Sequence, residues 1–162
     1  MRKNALCKLN KNHKYCYLWW ICLSLLIAVA DQITKNIIIC CVDFALPVTV
    51  TSFFNLVVSF NRGAAFSLLN NASGWQNWLF GIIAALISVF IINLLYRTKG
   101  TRLWLSASLS LVLGGALGNL CDRLLHGYVV DFLDFHLNIW HWPAFNLADS
   151  AIVIGILMFS VS

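Results

Sequence analysis

The chain has 162 residues, of which 60% are hydrophobic and only 10% are charged. These values lie outside the usual range of soluble domains and indicate a polytopic membrane protein. The formal net charge is +5. Most of the basic residues lie in two short segments and are not spread over a soluble fold, which argues against nucleic-acid binding. No linker or repeat divides the chain, so we expect one domain over residues 1–162.

Four apolar segments follow one another along the chain, at about residues 17–39, 76–96, 103–121 and 146–162. A transmembrane helix needs roughly twenty apolar residues, so the first three are long enough to span a bilayer. The fourth is shorter: either it ends flush with the membrane or the chain continues beyond it. The pattern predicts an all-α polytopic membrane protein, a bundle of four transmembrane helices with a small extracytoplasmic β element and a second extracytoplasmic loop.

The first apolar segment has two interpretations. Its basic leader and the small residues at 28–30 (AVA) imitate a secretory signal with a cleavage site. Against cleavage, Asp31 and Lys35 stand four residues apart, on one face of a helix that continues through Ile39. We therefore expect an uncleaved first span.

Basic residues set the expected orientation. They cluster before the first apolar segment and between the second and third, at Arg2, Lys3, Lys8, Lys11, Lys14, Arg97, Lys99 and Arg102. Under the positive-inside rule both termini are cytoplasmic, and residues 40–75 and 122–145 form the outer loops. The first outer loop contains LPVTVTSFFNLVVSF, whose β-branched and aromatic residues predict short strands. The second is expected to be a loop, and its segment around Trp140 to Pro143 is a candidate lid.

All six acidic residues are aspartates, and two of them should meet. Asp131 follows the third apolar segment and Asp149 begins the fourth, so an outer loop brings both to the same membrane level. Two close carboxylates share a proton and can provide an acid and a base. A proton relay and polar helix packing explain such a pair equally well from spacing alone. Asp134 is expected to be solvated.

Other polar and small residues gather near the same level. Asn61 and Arg62 open NRGAAFS, while Asn119, Asp122 and Arg123 end the third apolar segment. The glycines of GGALGNLCDR, residues 114–123, predict a small-residue face for close helix contact. The six cysteines and the histidines show no metal-binding spacing, and we expect no metal or cofactor.

Five sequence blocks together resemble the lipoprotein signal peptidase family, also called signal peptidase II. They occur in the family's order: DQITK at 31–35, NRGAAFS at 61–67, GGALGNLCDR at 114–123, VVDFLDF at 129–135 and FNLAD at 145–149. The resemblance implies an aspartic endopeptidase of the bacterial inner membrane. Such an enzyme removes the signal peptide from prolipoproteins whose cysteine carries a diacylglyceryl group, cutting just before that cysteine. Prolipoproteins and the phospholipid bilayer are the implied partners, and the implied state is a monomer.

The resemblance also assigns roles residue by residue. Asp131 and Asp149 match the catalytic dyad. The expected substrate-binding residues are Asn61, Asn119, Arg123 and Asn146. The expected structural or orienting residues are Asp31, Lys35 and Asp122. One departure is the short carboxyl end, which lacks the basic tail usual in the family.

Two hypotheses from other classes compete with a peptidase. A small proton-coupled transporter would use Asp31, Asp122, Asp131 and Asp149 as a relay, but a relay needs groups at several depths, and the halves show no inverted repeat. A purely structural assembly factor would need the spans but no paired carboxylates. The five blocks together therefore favour the peptidase.

Overall fold

The computed structural model describes residues 16–63 and 74–161. The basic leader and the second half of NRGAAFS, residues 64–67, lie outside the described residues. The elements in chain order are α1 (Cys16–Cys41), β1 (Val48–Thr51), β2 (Phe54–Asn61), α2 (Trp75–Arg97), α3 (Leu103–Leu125), β3 (Val129–Leu137), β4 (Trp140–His141) and α4 (Leu147–Ser160).

The helices make this a mostly helical membrane protein. By length and composition α1, α2 and α3 can each cross a bilayer, whereas α4 is apolar but has only 14 residues. Helix α3 runs to Leu125, four residues past the expected end of the third apolar segment. It ends where Gly127 adopts a left-handed φ of 77° and donates to the Arg123 carbonyl. Asp122 and Arg123 therefore lie in the last turn of α3. From the sequence, both were expected at the start of the loop 122–145.

Helix α3 is the centre of the bundle and packs against the other three helices. Its glycines permit this close approach. A methyl group added at Gly114 would lie 2.7 Å from Ile27 Cβ on α1, and one at Gly115 would overlap the backbone oxygen of Ala148 on α4. The predicted small-residue face of α3 is confirmed, and it faces two helices.

A four-stranded antiparallel sheet in the order β1-β2-β3-β4 covers one end of the bundle. Strands β1 and β2 confirm the short strands predicted within LPVTVTSFFNLVVSF. The expectation that 122–145 is only a loop is wrong, because residues 129–137 form β3 and pair with the long strand β2. An unpaired β2 edge would leave its backbone groups without partners. Apolar contacts among Ile38, Val42 and Phe132 hold the sheet against α1.

Asp134 is buried, with 6% exposure, and the expectation that it is solvated is wrong. Its position in β3 lies opposite Asn55 in β2. Asn55 Nδ2 donates to Asp134 Oδ2 at 3.0 Å, and His141 Nδ1 lies 2.9 Å from Oδ1. Strand pairing thus supplies hydrogen-bond partners from β2 and β4. These partners offset the cost of burying the Asp134 carboxylate, and they are present only in the folded sheet.

Candidate active site

Asp131 on β3 and Asp149 at the start of α4 are joined by the side chain of Asn146. Asn146 is the N-cap of α4: its side-chain oxygen accepts from the Asp149 backbone N–H at 2.9 Å, and Asp149 Oδ2 accepts from the Asn146 N–H at 3.3 Å. This reciprocal arrangement is a capping box. Asn146 Nδ2 also donates to Asp131 Oδ1 at 2.7 Å. One capping residue therefore places both carboxylates.

Each carboxylate of the pair receives a second amide. Asn61 Nδ2, at the end of β2, donates to Asp131 Oδ2 at 3.0 Å. Asn119 Nδ2, on α3, donates to Asp149 Oδ1 at 2.7 Å. The Asn119 oxygen in turn accepts from Lys35 Nζ at 3.0 Å and from Asn146 Nδ2 at 3.3 Å. Donors from separate elements thus fix the orientation of both carboxylates.

Lys35 is the charged centre of the layer beneath the pair. Its ammonium group lies 2.7 Å from Asp31 Oδ2 and 2.8 Å from Asp122 Oδ2, and all three side chains are at most 2% exposed. The remaining Asp31 oxygen accepts from the Ala148 N–H at 2.9 Å, in the first turn of α4. The triad thus joins α1 to α3 and, through Ala148, to the first turn of α4, next to Asp149 in the chain. Asp122, in the last turn of α3, therefore pairs with Lys35 of α1.

Gln32 belongs to this network, although sequence reasoning assigned it no role. Its side-chain amide donates to Asp122 Oδ1 at 2.7 Å and to the Gly118 carbonyl at 3.1 Å. Asp122 Oδ2 also accepts from the Val130 N–H at 3.2 Å, next to Asp131. A long polar side chain inside an apolar helix was the available signal. Through Asp122, Gln32 connects α1 to the strand that carries Asp131.

Arg123 lies at the edge of the site. Its guanidinium donates to the Asn119 carbonyl at 3.2 Å and to the Gly63 carbonyl at 3.3 Å, and it lies 5.8 Å from the centre of the Phe80 ring. Its positive charge attracts both Asp149 and Asp131. A guanidinium has five N–H donors, so the contacts with these two carbonyls leave donor capacity beside the carboxylate pair.

The surroundings of Asp131 favour its protonated form. Burial and, after it, the neighbouring carboxylate of Asp149 raise the pKa of Asp131 from 3.8 to about 7. Hydrogen bonds from Asn61 and Asn146 oppose the rise, as does the charge of Lys35. A proton shared within such a pair provides a general acid and a general base near neutral pH. Among residues 16–63 and 74–161, no group of three His, Cys, Asp or Glu side chains is arranged to bind a metal ion.

The raised pKa predicts a pH dependence of stability. Between pH 3.8 and about 7 the folded protein holds a proton on Asp131 that the unfolded chain releases, so the free energy of unfolding should fall as pH rises through this window. Asp131→Asn should remove this part of the fall. The measurement is the unfolding midpoint in detergent at several pH values between 4 and 8. Asp43→Asn, at an exposed position, should keep the parent's slope, and an unchanged slope in Asp131→Asn would contradict the assignment.

Comparison with known proteins identifies the family of the chain. A profile of the family described as "Signal peptidase (SPase) II" matches residues 23–162. The lipoprotein signal peptidase of Paraburkholderia phytofirmans is 49% identical over 139 residues, which cover 86% of this chain and 80% of the relative. That of Cupriavidus necator is 47% identical over 152 residues, covering 94% of this chain and 86% of the relative.

A solved structure is also similar. It is described as a bacterial membrane enzyme determined by the in meso method at 2.3 Å resolution, with a TM-score of 0.78 and 31% sequence identity. The match covers 91% of this chain and 88% of that structure. Together with the profile and the two relatives, it shows that this multi-pass membrane protein belongs to the signal peptidase II family of aspartic-type peptidases.

Proposed function

We propose that this protein removes the signal peptide from prolipoproteins that carry a diacylglyceryl group, cutting before the lipidated cysteine. Asp131 and Asp149 would activate the water that attacks the peptide bond. The observation that carries this proposal is the pair of carboxylates held by one buried capping residue, Asn146, with a further amide donor on each. Family membership supplies the substrate class.

In the proposed mechanism a water molecule is held between the two carboxyl groups. The ionised member removes a proton from the water, while the protonated member donates a hydrogen bond to the scissile carbonyl. The tetrahedral intermediate collapses when the amine of the lipid-bearing cysteine receives a proton. The pKa values of two such groups belong to the pair and not to either residue.

The surrounding amides divide into positioning and binding groups. Asn146 has 0% exposure and uses its amide within the protein, so we assign it a positioning role in place of the expected substrate contact. Asn61 and Asn119 also donate to the dyad and position it. Arg123 keeps the expected role in substrate binding, since its guanidinium has more N–H donors than its two contacts with described residues use and its charge attracts both carboxylates of the dyad. Asp31, Lys35 and Asp122 orient the helices beneath.

We further propose one domain with four spans and both termini in the cytoplasm of the bacterial cell. Arg97, Lys99 and Arg102 surround the connection between α2 and α3, which the positive-inside rule places in the cytoplasm. The sheet joins the opposite end of α3, so the dyad lies toward the extracytoplasmic side of the inner membrane. Helix α4, although short, would be the fourth span of a monomeric enzyme.

The direct test is cleavage by the purified chain in detergent micelles. A diacylglyceryl-modified prolipoprotein should be cut, and mass spectrometry should find the lipidated cysteine at the new amino terminus. The unmodified precursor of identical sequence serves as the matched substrate and should remain intact over the same period. Equal cleavage of both precursors, or cleavage at another bond, would contradict the proposed substrate.

A further inference from the structure

We propose that an aromatic cavity between β3, β4 and the segment before α4 binds an acyl chain of the substrate's diacylglyceryl group. This inference rests on the proposed function and adds a subsite to it. The cavity has a volume of about 440 Å³, within the usual range of small-molecule sites. Apart from His136, it is lined by Phe53, Phe135, Leu137, Trp140, Trp142 and Phe145.

The cavity wall is built from rings that already contact one another. Phe135 and Phe145 stack with centroids 5.9 Å apart, and Trp140 meets Trp142 edge to face at 6.0 Å. None of the seven lining residues carries a formal charge when His136 is neutral. A phosphate headgroup would find no cation in this wall, whereas a hydrocarbon chain is stabilised by each CH₂ that it buries. The wall therefore fits the neutral, apolar part of a lipid.

His136 is the one titratable residue among the seven that line this wall. Both of its ring nitrogens are buried and have no hydrogen-bond partner among the described residues. Its ring stacks at 5.1 Å on His141, which is itself held by Asp134. Both nitrogens lie below the surface of the cavity, so a ligand would contact the His136 ring through its carbon atoms and the wall stays apolar.

The cavity lies farther along the same strand as Asp131. Alternation along β3 places Asp131 and Phe135 on the same face, four residues and about 13 Å apart. Phe145 directly precedes Asn146, and its carbonyl accepts from the Phe132 and Leu133 N–H groups at 3.0 and 2.8 Å. The lipid of the substrate is attached to the residue immediately after the scissile bond. A peptide bond held at the dyad therefore brings its acyl chains within reach of the cavity.

The test fills the cavity and varies the lipid. Leu137→Trp places a larger side chain in the wall, and Ile139→Trp is the matched control, because Ile139 lies on the same hairpin at 97% exposure and does not line the cavity. Each variant is assayed with prolipoproteins carrying two palmitoyl or two butyryl chains. We expect Leu137→Trp to raise KM at least tenfold for the palmitoyl substrate and to leave KM for the butyryl substrate within twofold. Ile139→Trp should match the parent with both.

The outcomes separate the two proposals. Failure of the parent to cut either substrate would remove the proposed function. Normal parent activity with equal effects of Leu137→Trp on both substrates, or no effect, would overturn the cavity inference alone. If Leu137→Trp does not fold, Trp140→Ala opens the wall and should weaken the palmitoyl substrate selectively. If added phospholipid makes the parent's KM equal for the palmitoyl and butyryl substrates, bilayer lipid occupies the cavity. That result would also overturn the inference.

Discussion

Replacing Asp131 or Asp149 by asparagine should lower kcat by about 10²–10⁴-fold, the usual contribution of a general acid or base. The substitution keeps the size of the side chain but removes the exchangeable proton. Both oxygens of each carboxylate accept hydrogen bonds in the structure, so the new amide must turn one N–H group toward a donor. We therefore expect a small loss of stability as well, of about 1–3 kcal/mol. The measurement is single-turnover cleavage of the lipidated substrate, with the unfolding midpoint recorded for each variant.

The double variant gives the sharper form of this test. When two residues act as one catalytic unit, removing either one removes the contribution of both to kcat. Asp131→Asn combined with Asp149→Asn should therefore be scarcely slower than either single variant. Asp43→Asn, at an exposed position near the end of α1, is the matched control and should keep the parent's rate. A folded single variant with the parent's rate would remove that aspartate from the dyad. Multiplicative losses in the double variant would show two independent roles.

Lys35→Met should destabilise the protein by about 3–5 kcal/mol, the usual cost of removing one partner from a buried ionic cluster. Methionine fills much the same space, but Asp31 and Asp122 would be left as two buried carboxylates without their shared cation. Asn119 would also lose the ammonium group that its oxygen accepts from. Because Asn119 donates to Asp149, kcat should fall together with stability. Thermal unfolding in micelles and cleavage assays measure the two effects.

A combined variant distinguishes charge from shape in this cluster. In Lys35→Met with Asp31→Asn and Asp122→Asn, the amide oxygens can still accept from the Ala148 and Val130 N–H groups, and no charge remains uncompensated. This triple variant should be more stable than Lys35→Met alone. The pair of aspartate substitutions with Lys35 intact is the matched control and should be less stable than the triple variant, since it leaves a buried cation. A triple variant that is less stable than Lys35→Met would contradict the electrostatic explanation.

The sequence alone was sufficient for the features that depend on local composition. Apolar length predicted helices at all four apolar segments, and β-branched and aromatic residues predicted the strands between residues 46 and 60. The glycines at 114, 115 and 118 predicted close packing of α3, because the absence of a side chain is itself the signal. The five blocks also indicated the family to which the chain belongs. For the helices, the strands and the glycines the relevant information lies within one short segment, whereas the family is indicated only by the five blocks together.

Only the tertiary structure decided which polar groups meet. Strand β3 was missed because each of its faces contains a buried aspartate, Asp131 on one and Asp134 on the other, and an alternation test treats such carboxylates as solvent-facing. The register of β3 and the packing of three helices decide these contacts. They make Lys35 the partner of both Asp31 and Asp122, bring Gln32 into that network, and place Asn146 between the two catalytic candidates. A buried polar residue is compatible with the fold only through partners distant in the chain, and composition does not specify which partners these are.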